Sequence, residues 1–300
     1  DIYIANDFFE HDYLYINNRN GTFTESMQQQ MPNSSYFSMG MDMADVDNDG
    51  QTDIYTTDML PEDEYRLRTT SSFDGWDVYQ AKLRNDYGHQ FMRNMLQRNN
   101  GDGTFSDVGQ MAGVARTDWS WSALLTDLDL DGRKDIYVTN GLLRDVTSQE
   151  YLAFVANTET AKTVTSGGTV DYMALTRAMS STPIADYAFR NDGGMRFSNQ
   201  AKAWGLDRAN VSSGSAYADL DGDGALDLVV NNANLEAFVY RNNVRTILPA
   251  NRYVRVQLQG RGMNRFAIGA RVTLFSDTAR FMQELLPVRG FQSSMEYPLT

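Results

Sequence analysis

Between Tyr217 and Asn232 the chain reads YADLDGDGALDLVVNN: four aspartates and two glycines fall within nine residues, and then the sequence turns apolar. Carboxylates at alternate positions converge on one point when the chain curls around it, and a glycine at the sixth position permits the sharp turn. The donors are all oxygens, several of them anionic, with no histidine or cysteine among them. Such a set suits Ca²⁺, which takes about six to eight oxygens, better than Mg²⁺, which favours a tight octahedron and keeps its waters. The expected ligands are Asp219, Asp221, Asp223, the carbonyl of Ala225, and Asp227.

The spacing recurs. ADVDNDGQTDIYTTD offers Asp45, Asp47, Asp49, the Gln51 carbonyl and Asp53, and TDLDLDGRKDIYVTN offers Asp127, Asp129, Asp131, the Arg133 carbonyl and Asp135. The opening DIYIAND matches the tail of the same unit, so Asp1 is expected to be the ninth-position ligand of a fourth loop. Position twelve holds Thr56, Val138 and Val230, where an EF-hand needs a bidentate Glu, and strand formers follow instead of a helix. The EF-hand reading therefore fails three times in the same way. The alternative is a solvated acidic turn, in which crowded carboxylates would raise one another's pKa values. An ion here has a structural part: it neutralises the cluster, closes the turn and fixes the strand that follows.

Strands must hold these loops. Five residues past the ninth-position Asp stands Asn6, Asp58, Asn140 or Asn232. Seven residues before each complete loop is Ser38, Ser120 or Ser212, and two further on Gly40, Ser122 or Gly214. Small residues recurring on one face of an alternating strand predict that neighbouring strands crowd there. After each unit comes a strand–turn–strand signal: LYINNRNGTFTE, MLQRNNGDGTFSD, YAFRNDGGMRFSN and, cut short, FVYRNN. About four short strands per repeat make the blade of a β-propeller, whose sheets pack face to face around an axis. The expected fold is mainly β: a fragment of a larger propeller ring, with further blades before Asp1, an open stack or a four-bladed ring being the alternatives. Insertions at about 59–93 and 141–186 look partly helical, Thr147 or Ser148 being the expected cap of one helix. Domains are expected at 1–246 for the blades and 247–300 for a small C-terminal β unit, in which YVRVQLQ and ARVTLFS alternate as strands do.

Composition narrows the function. The net charge of −13 argues against nucleic acid, which lysine and arginine bind. Aspartate outnumbers glutamate 30 to 9, an excess that favours turns and metal loops over a merely solvated surface. The absence of cysteine excludes disulfides, thiolate metal sites and a cysteine nucleophile. No apolar run approaches the length of a membrane span.

The aspartate loop inside a blade ending in NNGDGTF resembles the FG-GAP/VCBS repeat. The C-terminal stretch, through Asn264, Ile268, Gly269, Ala270, Arg271 and Val272 and then Arg289, Gly290, Phe291, Gln292, Ser293 and Ser294, resembles the ASPIC/UnbV domain. That pairing is similar to cartilage acidic protein-like chains. The insertions, with NGLLRDVTSQEYLAF in one, resemble the long versions found in Bacteroidota. The resemblance implies an exported, lipid-anchored protein at the outer-membrane surface, with a protein partner. The family's closing segment after the serine-rich turn is absent, so this domain is expected to be truncated.

For catalysis the sequence offers little. His11 and His89, the two histidines, lie in no recognisable constellation, and no Walker loop, dinucleotide fingerprint or zinc-type histidine pair occurs. Trp119 and Trp121 lie on an alternating strand and are expected to pack between blades; Trp76, inside an insertion, is the better ligand contact. Arg252, Arg255, Arg261, Arg265, Arg271, Arg280 and Arg289 make the C-terminal unit basic, for solubility and strand-edge protection or for contact with an acidic partner or the anionic part of an outer membrane. The reading reached is a calcium-stabilised, non-catalytic surface scaffold or accessory subunit. A polysaccharide-acting enzyme or a glycan-binding lectin on the same propeller is the alternative.

Overall fold

In the computed structural model, which describes residues 1–8, 10–156, 172–276 and 279–300, the alternating runs pair into four antiparallel sheets, one per repeat. Blade 1 is β1 (Ile2–Ile4), β2 (Tyr13–Asn17) and β3 (Phe23–Glu25). A short parallel pair, β4 (Ser34–Ser35) with β7 (Gln90–Phe91), brackets blade 2, which orders β5 (Gly40–Ala44), β6 (Asp53–Thr57), β8 (Met95–Asn99) and β9 (Phe105–Asp107). Blade 3 is β10 (Ser120–Thr126), β11 (Asp135–Asn140), β12 (Tyr187–Gly193) and β13 (Arg196–Asn199). Blade 4 stops at three strands: β14 (Ser212–Ala218), β15 (Asp227–Asn232) and β16 (Phe238–Tyr240). The C-terminal unit adds the hairpin β17 (Arg271–Phe275) and β18 (Arg280–Glu284), and the short pair β19 (Val288–Arg289) and β20 (Ser293–Ser294). This is a β-propeller fragment carrying helical insertions and a small C-terminal β unit. No helix among the described residues is long and apolar enough to cross a membrane.

The core lies between blades, as a face-to-face stack requires. Val46, Tyr55, Leu96, Ile136 and Phe189 fill the space between blades 2 and 3, and Leu128, Tyr137, Leu206, Leu228 and Val230 that between blades 3 and 4. Each such side chain contributes about 1.5–3 kcal/mol on burial. The inner strands β5, β10 and β14 crowd where the small residues recur. A Cβ on Gly40 would lie 1.9 Å from the Trp121 carbonyl oxygen, so the approach of β5 to β10 demands glycine.

A repeated latch joins each blade to the next. The residue just before the third strand position is Asp12, Asn94 or Asp186. In each blade it takes the hydroxyl of the tyrosine two past the ninth-position Asp: Tyr3 to Asp12 at 2.6 Å, Tyr137 to Asp186 at 2.7 Å, with Asn94 instead donating to Tyr55 at 3.0 Å. It also accepts the backbone N–H five past that Asp, from Asn6, Asp58 or Asn140. The next blade then ties in: Ser38 donates to Asp12 and Ser212 to Asp186, while Asn94 donates to Thr117, which bonds Ser120. In blade 4 Val229 and Ala237 hold these two places, and neither side chain can make the latch.

The insertions leave the blades at this latch end. They include helices at Glu64–Thr70, Trp76–Arg84, Gln149–Ala156 and Tyr172–Ala178. Asp63 caps the first, accepting from the Arg66 N–H at 2.8 Å, a start that the sequence reading missed. The expected cap at Ser148 immediately precedes the third; the rest of that predicted segment lies outside the described residues. Arg66 forks onto Asp118 at 2.5 and 2.9 Å and reaches Asp145 at 3.3 Å, binding the two insertions together.

The C-terminal unit occupies the opposite face. ARVTLFS forms β17 as expected. YVRVQLQ does not form a strand: its one ladder contact is the bridge from Val256 to Leu299, while Tyr253 packs on Gly224 and Arg255 turns to Asp219 and Glu296. Contacts with the blades override its alternating pattern.

Candidate metal centres

The three aspartate loops join the first and second strands of blades 2, 3 and 4. In each, carboxylate oxygens of the first, third and ninth positions gather within 4.8 Å of one another: Asp45, Asp47 and Asp53; Asp127, Asp129 and Asp135; Asp219, Asp221 and Asp227. These triads could hold a metal ion. The turn is built as the pattern requires. Sixth-position Gly50, Gly132 and Gly224 have φ of 82°, 89° and 87°, and fourth-position Asn48, Leu130 and Gly222 are also left-handed, at 60°, 56° and 77°. Leu130 in that region stores about 1–2 kcal/mol of strain, held by its burial.

The ninth-position Asp is a clamp as well as a donor. One oxygen accepts the second-position N–H, from Val46 at 2.9 Å, Leu128 at 3.0 Å and Leu220 at 2.9 Å. The other accepts the N–H of an asparagine on or just past the third strand, from Asn99, Asn191 or Asn242 at 2.7–2.9 Å. Asp1 does the same for Asn17 at 2.8 Å, so blade 1 keeps this half of the unit. The asparagine side chain then reaches back one blade: Asn191 donates to the Val46 carbonyl at 2.9 Å and Asn242 to that of Leu128 at 2.8 Å. The loops are thus threaded to one another.

Fifth-position Asp49, Asp131 and Asp223 do not join the gathered triads. Each instead accepts the seventh-position N–H, of Gln51, Arg133 or Ala225, at 2.8–2.9 Å. Those bonds engage the N–H groups of Gln51, Arg133 and Ala225, whose carbonyls are the expected ligands.

First-position oxygens give the fit test. Asp45 Oδ1 and Asp219 Oδ1 are buried with no hydrogen-bond partner, although a buried anionic oxygen is costly unless compensated. Burial, then neighbouring carboxylates, pushes Asp45 up to about 6 and Asp129 up to about 6. Burial pushes Asp53 up to about 7 and raises Asp127 and Asp135. Arginines supply part of the missing charge: Arg98 bonds Asp47 at 2.7 Å and Arg241 bonds Asp221 at 2.7 Å. Hard anionic donors lacking a cation are what an oxygen-seeking divalent ion would complete.

The C-terminal unit is seated on this loop face. Arg280 covers Gly50, Phe281 covers Gly132 and Tyr253 covers Gly224, each so close that a Cβ there would overlap the side chain. Asn251 donates to the Asp129 carbonyl at 2.8 Å. Beyond the loops, residues 288–294 run along the inner strands. Buried Arg289 pairs with Asp42 at 2.8 Å, Gly290 bridges Met41, and the Phe291 ring lies 5.0 Å from that of Trp121. Arg255, Arg271 and Arg289 of the basic C-terminal end thus find acidic partners within the chain. Trp121 also donates to the Gly141 carbonyl at 2.7 Å, just past β11 of its own blade, whereas Trp76 stands exposed beside Tyr79.

The sequence reading set the histidines apart. The structure brings His11 and His89 to one cavity of about 180 Å³, with Gln28, Asn33 and Ser34 among its lining and no carboxylate there. The two stand 78 positions apart in sequence, His89 inside the first insertion, so no local signal joins them.

Comparison with known families agrees with this architecture. The FG-GAP-like repeat family matches residues 1–56 and 74–138, and the ASPIC and UnbV family matches residues 260–300. A search of curated proteins finds no match. The chain is a repeat protein that joins FG-GAP-like blades to a C-terminal ASPIC/UnbV domain.

Proposed function

We propose that this chain is a calcium-stabilised, non-catalytic binding scaffold. The observation that carries the reading is the pair of buried, unpartnered first-position oxygens, Asp45 Oδ1 and Asp219 Oδ1, aimed into three-carboxylate clusters. Ca²⁺ held by Asp45, Asp47 and Asp53, and by their counterparts in the other two loops, would partner these oxygens, which Arg255, paired with the other oxygen of Asp219, leaves free. The clamp from each ninth-position Asp to the third strand passes that order into the blade. Because Arg280, Phe281 and Tyr253 rest on the same loops, a bound ion also fixes the C-terminal unit. The scaffold then presents two faces, the insertions at one end and the C-terminal unit at the other. Its place is outside the cytoplasm, at the cell surface, where millimolar calcium keeps weak sites filled.

Titration calorimetry on chelator-treated protein tests the metal: about three Ca²⁺ per chain, with Mg²⁺ a poor competitor, is expected. Affinity purification of the intact protein from its native membrane tests the scaffold. A co-purifying protein partner supports it; a chain that emerges alone and cleaves a polysaccharide overturns it.

A further inference from the structure

The three loops share one ligand pattern but not one charge environment. Among the described residues, the blade 3 triad has no arginine or lysine paired with it; Lys134 acts on Asp127 through space only. Blade 2 has Arg98 on Asp47, a guanidinium 40% exposed, and such surface pairs are screened and add little. Blade 4 has two. Arg241, 68% exposed, reaches Asp221, while Arg255 holds the first-position ligand Asp219, whose side chain is only 2% exposed.

The C-terminal unit places that second arginine. Tyr253 and Arg255 stand two apart in YVRVQLQ and meet the same loop. Tyr253 covers Gly224, and Arg255 takes Asp219 Oδ2, the oxygen that also accepts the Gly224 N–H at 3.2 Å. Val256, next along, is fixed by paired backbone bonds to Leu299 at 2.8 and 3.0 Å. Glu296 completes the arrangement: one oxygen accepts from Arg255 at 2.6 Å and the other from the Asp219 N–H at 3.0 Å. The guanidinium is therefore held between two carboxylates, and Asp219 Oδ1 is the oxygen left without a partner.

We infer that the blade 4 loop is a separate, weaker calcium site, and that Arg255, acting through Asp219, sets its affinity. The inference rests on the calcium reading above and deepens it by making the three sites unequal. Even at the dielectric of bulk water, a unit charge about 6 Å from a divalent ion weakens its binding about tenfold. Salt screens a buried pair less than an exposed one, so this effect persists where that of Arg98 or Arg241 fades. The loops of blades 2 and 3 then stay filled, while that of blade 4 fills and empties as calcium varies around the roughly 10⁻⁴–10⁻³ M range of extracellular modules. Linkage makes the effect mutual: an ion in this loop weakens the hold of Arg255 on Asp219, so calcium is felt by the C-terminal unit.

The test is calcium titration calorimetry on the chelator-treated 300-residue chain and two variants. The chain itself should show two tighter sites and one at least about tenfold weaker. Arg255→Gln should tighten the weak site about tenfold and leave the other two in place. It should also lower the melting temperature in EGTA but not in saturating calcium, since the ion then compensates Asp219. A packing role for Arg255 would loosen the site or leave it unmoved. Glu296→Gln keeps an acceptor for the Asp219 N–H but leaves the Arg255 charge unshared, so it should weaken the same site. Three equal sites, or an Arg255→Gln chain whose weakest site is unmoved or weaker still, overturn the inference and leave the calcium reading standing. No calcium binding in any of the three chains removes that reading, and this inference with it.

Discussion

The two ends of each blade bury carboxylates and treat them in opposite ways. At the latch end, Asp186 receives Tyr137 and Ser212 hydroxyls, the Asn140 N–H and the Asn210 amide, and Asp58 receives the Ser35 hydroxyl and the N–H groups of Tyr36 and Phe37. At the loop end, Asp45 accepts one N–H, from Gly50, and keeps an oxygen with no partner. The latch solves its charge with protein donors. The loop has arginines for part of it, and on the reading proposed above a bound cation supplies the rest. Hydrogen-bonded buried charge is self-sufficient, whereas clustered buried charge makes stability conditional on solution composition.

Removing calcium is the largest test of that difference. Three ions at about a hundredfold above their dissociation constants contribute on the order of 8 kcal/mol. At about 2–4 °C per kcal/mol for a chain this size, chelation should lower the melting temperature by some 15 °C or more, approximately. Calorimetric scans with and without EGTA check it, and an unmoved transition would remove the loop end's distinction altogether.

A smaller loss is expected where the C-terminal unit meets the inner strands. Arg289→Ala strands Asp42 as an uncompensated buried charge, which burial already raises against the pull of Arg289. Breaking such a pair costs about 3–5 kcal/mol. Urea melts should show this, with faster proteolysis near residues 288–294. The double change Asp42→Asn with Arg289→Met should recover most of it, because the pair then leaves no orphan charge. A double variant as unstable as the single one would mean that Arg289 acts through packing alone.

Much of the loop end was legible in the sequence, and little of the latch. The aspartate spacing is local, so nine consecutive residues carry the whole signal, and three copies exclude coincidence. The asparagines 15 to 56 residues downstream were also visible, since Asn17, Asn99, Asn191 and Asn242 head recognisable turns. Gly40, Ser122 and Gly214 correctly announced crowded inner strands. By contrast, Asp12 follows its blade's ninth-position Asp directly while Asn94 and Asp186 come at the far ends of insertions of unequal length, so no fixed offset aligns the three. The tyrosines they hold were hidden in plain view: Tyr3, Tyr55 and Tyr137 read as ordinary strand residues until their partners are known. The pairing of Asp42 with Arg289 spans most of the chain, and YVRVQLQ alternates like a strand yet serves as a strap, because side-chain contacts to blade loops outweigh its own pattern.

Within one loop, a single neutralisation should separate donor from acceptor chemistry. Asp53→Asn keeps the side-chain volume and can still accept one of the two N–H groups now bonded at 2.8 and 2.9 Å, but it loses the anionic charge. One calcium should disappear from the titration, with the stability loss larger in calcium by about 2–3 kcal/mol than in chelator, where only the orphaned N–H costs about 1–3 kcal/mol. Equal losses in both conditions would make Asp53 a clamp and nothing more.

The finest test sets the two ends against each other by pH. Burial pushes Asp12 and Asp186 up to about 6, above the ordinary carboxylate value, so the folded chain binds these protons more tightly than the unfolded one. Their contribution therefore improves as pH falls through about 6 and worsens as it rises. Asp45, Asp53 and Asp129 are raised in the same direction, so chelated protein should be more stable near pH 5 than near pH 8. With calcium the slope should reverse, since protons compete with the ion for those same loop oxygens. Asp186→Asn isolates the latch share. Blade 2 already carries Asn94 at this place, with its amide donating to Tyr55 and its oxygen accepting the Asp58 N–H, so the exchange preserves the network. It should shift stability at pH 7 by no more than about 1–2 kcal/mol, flatten the chelated pH profile and leave calcium binding intact. A steep loss at every pH would show that Ser212 and Asn210 need a carboxylate there, and that the latch depends on charge as much as the loops do.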